Sequence, residues 1–212
     1  MGSILNVLVS PKLTFEKIRE NGGAFVIPFI VLLVGTLIAV FLQIPVIEAQ
    51  FDKMEPQPGV DLEAVKSVGI IFGVISAPIF VAISVFFIAL LLMLVNMIVR
   101  GEAKYMSLVK VSVLAQFPAL ISALLLGVLA QTMDPDTASG IKFSLAALME
   151  NGTGFVHGLL NLINPFGLWG LAIMVIGSAA MMRKSGKQVA VWIIGGWIVI
   201  SSIFLVIGGS IS

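Results

Sequence analysis

Residues 68–99 read VGIIFGVISAPIFVAISVFFIALLLMLVNMIV, thirty-two positions without a charge. A bilayer core of about 30 Å is crossed by ~20 apolar helical residues rising ~1.5 Å each. This run is longer than a perpendicular span requires, so it is expected to tilt, to kink at Pro78, or to project beyond the membrane. The rest of the chain does not dilute that signal. Of 212 residues 59% are hydrophobic and 11% charged, with a mean hydropathy of +1.14, whereas soluble chains carry roughly a quarter charged residues. The balance excludes a disordered chain, a nucleic-acid binder and a soluble enzyme with a polar shell.

The same length criterion predicts four further spans, at about 24–47, 111–131, 165–182 and 189–207. The fourth opens on Asn164-Pro165, a cap residue followed by proline at the first helical position. The fifth ends at Gly208-Gly209. The predicted fold is therefore all-α, a polytopic membrane protein of five transmembrane helices over residues 24–209. An N-terminal segment, 1–23, precedes them and a tail, 210–212, follows. Within 1–23, Ser10-Pro11 reads as the start of a short amphipathic helix rather than a signal peptide. That helix suits the headgroup boundary, with Lys12, Phe15, Lys17 and Arg19 as membrane-surface or partner-binding residues; the other reading is a cap packed on the bundle. Between the third and fourth spans, residues 132–164 are apolar but broken by Gly152 to Gly158. They read as an external, interfacial helical hairpin, with a re-entrant segment as the alternative.

Charge sorting orients the spans. Nine of the 12 Lys and Arg residues fall in the N-terminal segment and in the second and fourth connections. The other side carries Lys53, Lys66 and Lys142 against eight carboxylates, among them Glu48, Asp52, Glu55, Asp61 and Glu63. By the positive-inside rule the N-terminus is cytoplasmic and the C-terminus external. The acidic stretch 48–63, with Pro56 and Pro58, is expected to be a mobile loop.

Chemistry is sparse. There is no cysteine, and the one histidine, His157, lies in 132–164, so neither a thiolate nor a dedicated zinc site is expected. All five predicted spans lack Asp, Glu, Lys, Arg and His, which argues against proton-coupled transport and against intramembrane proteolysis. An enzymatic reading would need external Asp134, Asp136, Glu150 and His157 to converge. No catalytic, cofactor or metal site is expected. The intramembrane polar residues Asn96 and Gln116, with Gln43, read chiefly as interhelical glue, and Gln116 beside Pro118 as a polar, deformable spot. Small residues at four-residue spacing (Gly35 and Ala39; Gly69, Gly73 and Ala77; Ala123 and Gly127) read as helix-packing positions. Asn151-Gly-Thr153 matches a glycosylation acceptor tripeptide.

The N-terminal run Leu8-Val-Ser-Pro-Lys-Leu-Thr-Phe-Glu-Lys-Ile-Arg-Glu20 stands immediately before the first span. Together with Arg100-Gly-Glu-Ala-Lys104, with Tyr105 and Ser107, and with Gln116-Phe117-Pro118, it resembles bacterial Yip-domain proteins, as does the five-span plan. The resemblance implies an integral protein of the bacterial plasma membrane without catalytic residues. It implies a scaffold or accessory subunit with other membrane proteins as partners, such as ABC-type exporter subunits or an envelope-defence system. A homo-oligomer is compatible with it. The alternative is a passive channel or carrier for a small neutral or apolar solute.

Overall fold

The long uncharged runs form helices, and among the described residues no strand is present. A computed structural model describes residues 2–23, 25–54, 61–149 and 154–209. Glu55, Glu150, the Asn151-Gly-Thr153 tripeptide, most of the acidic stretch between 54 and 61, and the tail 210–212 lie outside the described residues. The chain runs α1 (Gly2–Val9), α2 (Pro11–Asn21), α3 (Val26–Leu42), α4 (Ile44–Asp52), α5 (Leu62–Ile98), α6 (Tyr105–Ala115) and α7 (Phe117–Thr132). It continues with α8 (Pro135–Ser139), a 3-10 turn (Leu145–Leu148), α9 (Gly154–Leu162), α10 (Pro165–Met182) and α11 (Gly186–Gly209).

Local chemistry sets many of these ends. Asp61 accepts a hydrogen bond from Ala64 N at 3.2 Å, which starts α5 six residues before the predicted span. Asn164 accepts from Phe166 N at 2.9 Å, with Pro165 in the first turn of α10. Gly22, at φ +67°, ends α2 by donating its N–H to Ile18 O at 3.0 Å; that left-handed backbone is where glycine is needed. Pro78 sits inside α5 without interrupting it.

Among the described residues four helical stretches are long and apolar enough to cross a membrane: α5, α6 with α7, α10, and Gly186–Ile203 of α11. The pair α3 and α4 makes a fifth if it counts as one span. Here the structure corrects the expectation of a continuous first span over 24–47, because α4 bends 45° away from α3 at Gln43. Pro45 has no N–H to offer Phe41 O and its ring crowds that carbonyl, so the helix restarts, with Val46 N and Ile47 N both donating to Gln43 O. The third span is also interrupted, at Gln116, two residues before Pro118, but α6 and α7 continue as one span without such a bend. Both breaks carry the pattern Gln-X-Pro.

The α3 and α7 helices run side by side. Gly35 faces Leu120 and Gly127 faces Leu42, so the contacts advance in the same direction and the helices are parallel. The main core lies where α2, α6 and α10 meet, around Phe15, Leu108, Val111 and Met182, each fully buried. Helix α1 adds Val7 to this core. In 132–164, where a two-helix hairpin is expected, the described residues form three elements: α8, the 3-10 turn and α9. The last two form a hairpin closed by Leu145 N donating to Ile163 O at 3.1 Å and by Ser144 Oγ donating to Asn161 Oδ1 at 2.8 Å.

Candidate functional site

The polar groups inside the helices define the places where this molecule could do chemistry, and their partners show how they are used. Asn96, in the last turn of α5, is buried. Its Nδ2 donates to Ala103 O and its Oδ1 accepts from Ala103 N, both at 3.2 Å. The short connection 99–104 is thereby folded back under α5, with Arg100 at φ +53° and Gly101 N donating to Asn96 O at 2.7 Å. A Cβ on Gly101 would collide with the Asn96 side chain, so this tight return requires glycine.

The same connection completes the end of α10. A helix leaves its last four carbonyls without intrahelical partners. Here Met182 O accepts from Glu102 N at 3.2 Å, Ala179 O from Lys184 N at 3.1 Å, and Ala180 O from the Arg19 guanidinium at 3.0 Å. Arg183 adds an exposed ion pair to Glu102 at 3.1 Å. Two segments distant in sequence, α2 and the 99–104 connection, thus converge with the local cap on one helix terminus.

Phe15 is the central side chain of this junction. It is fully buried against Gly177 and Val111, so the expectation that it faces lipid or a partner is corrected. The reason is steric: an added Cβ at Gly177 would lie 2.7 Å from the Phe15 ring, so only glycine there leaves room for the phenyl group. Lys12 and Lys17 are exposed on the outer face of α2, and Arg19 ties α2 to α10.

A second polar locus lies between α3, α5 and α7, where a cleft of about 230 Å³ is bordered by Thr36, Gln43, Val81, Gln116 and Leu120. Gln116 Nε2 donates to Ser84 Oγ at 3.2 Å, and Gln43 Nε2 donates to Ala123 O at 3.0 Å. Gln131 Nε2 donates at 2.8 Å to Leu42 O, a carbonyl at the α3–α4 break. The two Gln-X-Pro breaks therefore border one cleft, and each amide ties its own break to a neighbouring helix. No ionisable side chain lines the cleft. It can accept hydrogen bonds through amide oxygens but has no group to transfer a proton.

The packing positions separate. Gly35, Gly69 and Gly127 each sit against a side chain, their added Cβ atoms 2.7, 2.6 and 2.7 Å from Leu120, Phe51 and Leu42. Gly73 is corrected: an added Cβ there meets nothing within 4 Å, so the residue packs no helix of this chain. Ala77 is partly buried. Sequence reading missed Gly170, whose added Cβ would lie 2.7 Å from Ala115 O, and Gly177. Their seven-residue spacing, two helical turns, puts both on one face and was the available signal.

Among the described residues Asp134, Asp136 and His157 do not converge on one site. Asp134 caps α8, Asp136 pairs with Lys53 at 2.8 Å, and His157 Nε2 lies 3.1 Å from Lys142 Nζ. Among the described residues no group of three or more metal-ligating side chains is gathered.

The chain is similar over most of its length to "Membrane protein YknW" of Bacillus subtilis (strain 168). The two are 26% identical over 211 residues, which cover 95% of this chain and 89% of the relative. No solved structure matches it. The family model of the Yip1 domain matches residues 5–208, nearly all of the helical bundle just described. The chain is a membrane protein of the Yip1 domain family.

Proposed function

We propose that this protein is a noncatalytic membrane scaffold or accessory subunit whose helix faces bind other membrane proteins, of the kind an ABC-type exporter or an envelope-defence system would supply. The observation that carries the reading is the mismatch between α5 and a bilayer. Its 37 residues make a helix of about 55 Å. A hydrocarbon core of about 30 Å accommodates roughly 40 Å of helix even at a tilt near 40°. On the order of 15 Å of α5 then has to be covered by something other than hydrocarbon. At the Asp61 end Val65, Val68, Ile71 and Phe72 are all exposed, and apolar surface held outside lipid is stabilised by a protein partner. The polar side chains in the helices favour the same reading, since Asn96, Gln43, Gln116 and Gln131 bond to this chain's own backbone or side chains.

In this reading α3 with α4 form one broken span, giving five. The N-terminus lies in the cytoplasm of a bacterial cell and the C-terminus lies outside. The natural lack of cysteine allows a direct check. Ser185→Cys should react with a membrane-impermeant maleimide only in inverted vesicles, and Ser139→Cys only in intact cells; the reverse pattern overturns the orientation. The scaffold itself is tested by photo-crosslinking from position 72 in native membranes. A discrete partner band is expected, and crosslinking to lipid alone would remove the reading.

A second reading, a passive channel or carrier for a small neutral or apolar solute, rests on the cleft beside the two proline breaks. It requires flux in proteoliposomes that falls on Gln116→Leu. An unchanged flux, or none across a broad solute panel, would leave it without support.

A further inference from the structure

Lys110, on α6, borders a pocket rather than an open surface. The pocket, of about 90 Å³, is walled by Ile18 at the end of α2, by Phe25 and Pro28 at the start of α3, and by Val113 and Leu114 on α6, with Lys110 as its charged group. Lys110 is partly buried, and among the described residues its ammonium has neither a hydrogen-bond partner nor an ion pair. The carboxylates of the neighbouring elements are engaged elsewhere or stand apart. Glu20 pairs with Arg19 at 3.9 Å, Glu102 pairs with Arg183 at 3.1 Å, and Glu16 forms no ion pair. An ammonium without a counter-ion at the mouth of an apolar pocket is free to donate charge-assisted hydrogen bonds to an anion seated there.

The position of the pocket identifies the kind of anion. Immediately beyond Phe25, α3 begins to expose Val26, Ile27 and Ile30, the outward apolar surface of a membrane helix. On its other side α2 exposes Lys12 and Lys17. The pocket therefore sits at the polar–apolar boundary, with its cation beside walls suited to alkyl groups. Its volume holds several water molecules or one tetrahedral oxyanion. We propose that this pocket binds one phosphate group through Lys110, presented by the headgroup of an anionic phospholipid or as free phosphate. With a lipid, the glycerol and first methylenes would lie along Phe25, Pro28 and Val113.

The test uses the full-length chain in nanodiscs, released for native mass spectrometry. The wild type is expected to retain one phosphatidylglycerol in preference to phosphatidylcholine. Loss of one charge-assisted contact in Lys110→Gln should weaken that retention about tenfold, while Lys110→Arg keeps it and Lys187→Gln, at an exposed cation, leaves it unchanged. Phosphorus NMR with inorganic phosphate and lipid-free protein in a neutral detergent separates the sources. Phosphate binding that Lys110→Gln abolishes, without a lipid preference, assigns the pocket to free phosphate. Equal retention of the two lipids by the wild type together with no phosphate binding overturns the proposal without reliance on any variant. So does equal loss in Lys110→Gln and Lys187→Gln.

Discussion

The end of the molecule built from α1, α2 and the connections at 99–104 and 183–185 is packed like the interior of a soluble protein, and the opposite end is not. At the first, Val7, Phe15, Leu108, Val109, Val111, Met182 and Val189 are all at 0% exposure, and the carbonyls closing α10 take partners from α2 and from the 99–104 connection as well as from the residue after its own cap. At the second, Leu148, Val156 and Met149 are exposed, and the named contacts of α4 and α8 include the surface ion pair of Lys53 with Asp136. Apolar side chains inside a bilayer lose nothing by facing lipid, so burial among protein atoms concentrates where the backbone turns and its polar groups need partners. The α2–α6–α10 junction is thus tightly packed, and the α4–α8 end is held by weaker, solvent-facing interactions.

The largest expected effect tests that contrast directly. Phe15→Ala empties the space between Gly177 and Val111 and should destabilise the solubilised protein by about 3–5 kcal/mol in denaturant unfolding, whereas Leu148→Ala, at 81% exposure, should change it by less than about 0.5 kcal/mol. Equal losses would mean that the two ends fold as one cooperative unit with similar packing. Next in size is Asn96→Leu, which leaves the N–H and C=O of Ala103 buried without partners. A loss of about 2–3 kcal/mol is expected. Cysteines placed in 99–104 should become reactive in that variant, since the connection loses its attachment to α5.

How much of this was legible in the sequence depends on how far each cause reaches along the chain. Length and charge are local, so the all-α class and the apolar runs could be read directly, as could the Asn164-Pro165 helix start. The break of the first span was also written locally, because Gln43-Ile44-Pro45 repeats Gln116-Phe117-Pro118, but the uncharged run around it hides it from a hydropathy criterion. Phe15 was not legible. Its neighbours Lys12, Lys17 and Arg19 make α2 look like a surface helix, and what buries the ring is the missing side chain of Gly177, more than 160 positions away. Asn96 differs again: an amide in a membrane helix reads as interhelical glue, yet it holds the connection that follows its own helix. Lys110 could be counted from the sequence, but its lack of a counter-ion is a tertiary fact.

Two smaller predictions sharpen the same contrast from opposite signs. Ser178 is fully buried at the α2–α6–α10 junction and its hydroxyl has no hydrogen-bond partner. Ser178→Ala removes a desolvated polar group and puts a better helix former in α10, so a gain of about 1 kcal/mol is expected in the same unfolding measurement. A loss instead would mean that the hydroxyl is bonded and the junction less dry than its packing indicates.

At the α4–α8 end, the Lys53–Asp136 pair at 2.8 Å looks strong by distance alone. Both side chains are more than half exposed, however, so water and salt screen the attraction and holding two long side chains together costs conformational entropy. Asp136→Asn keeps the size of the group and removes its charge, which should lower stability by no more than about 0.5 kcal/mol at low salt. That difference should vanish near 1 M salt, where the screening length falls to about 3 Å. A larger, salt-insensitive loss would show that the pair is shielded from solvent in the membrane-bound protein. Since both partners are exposed in the isolated chain, the shield would have to be the bilayer surface or a bound partner.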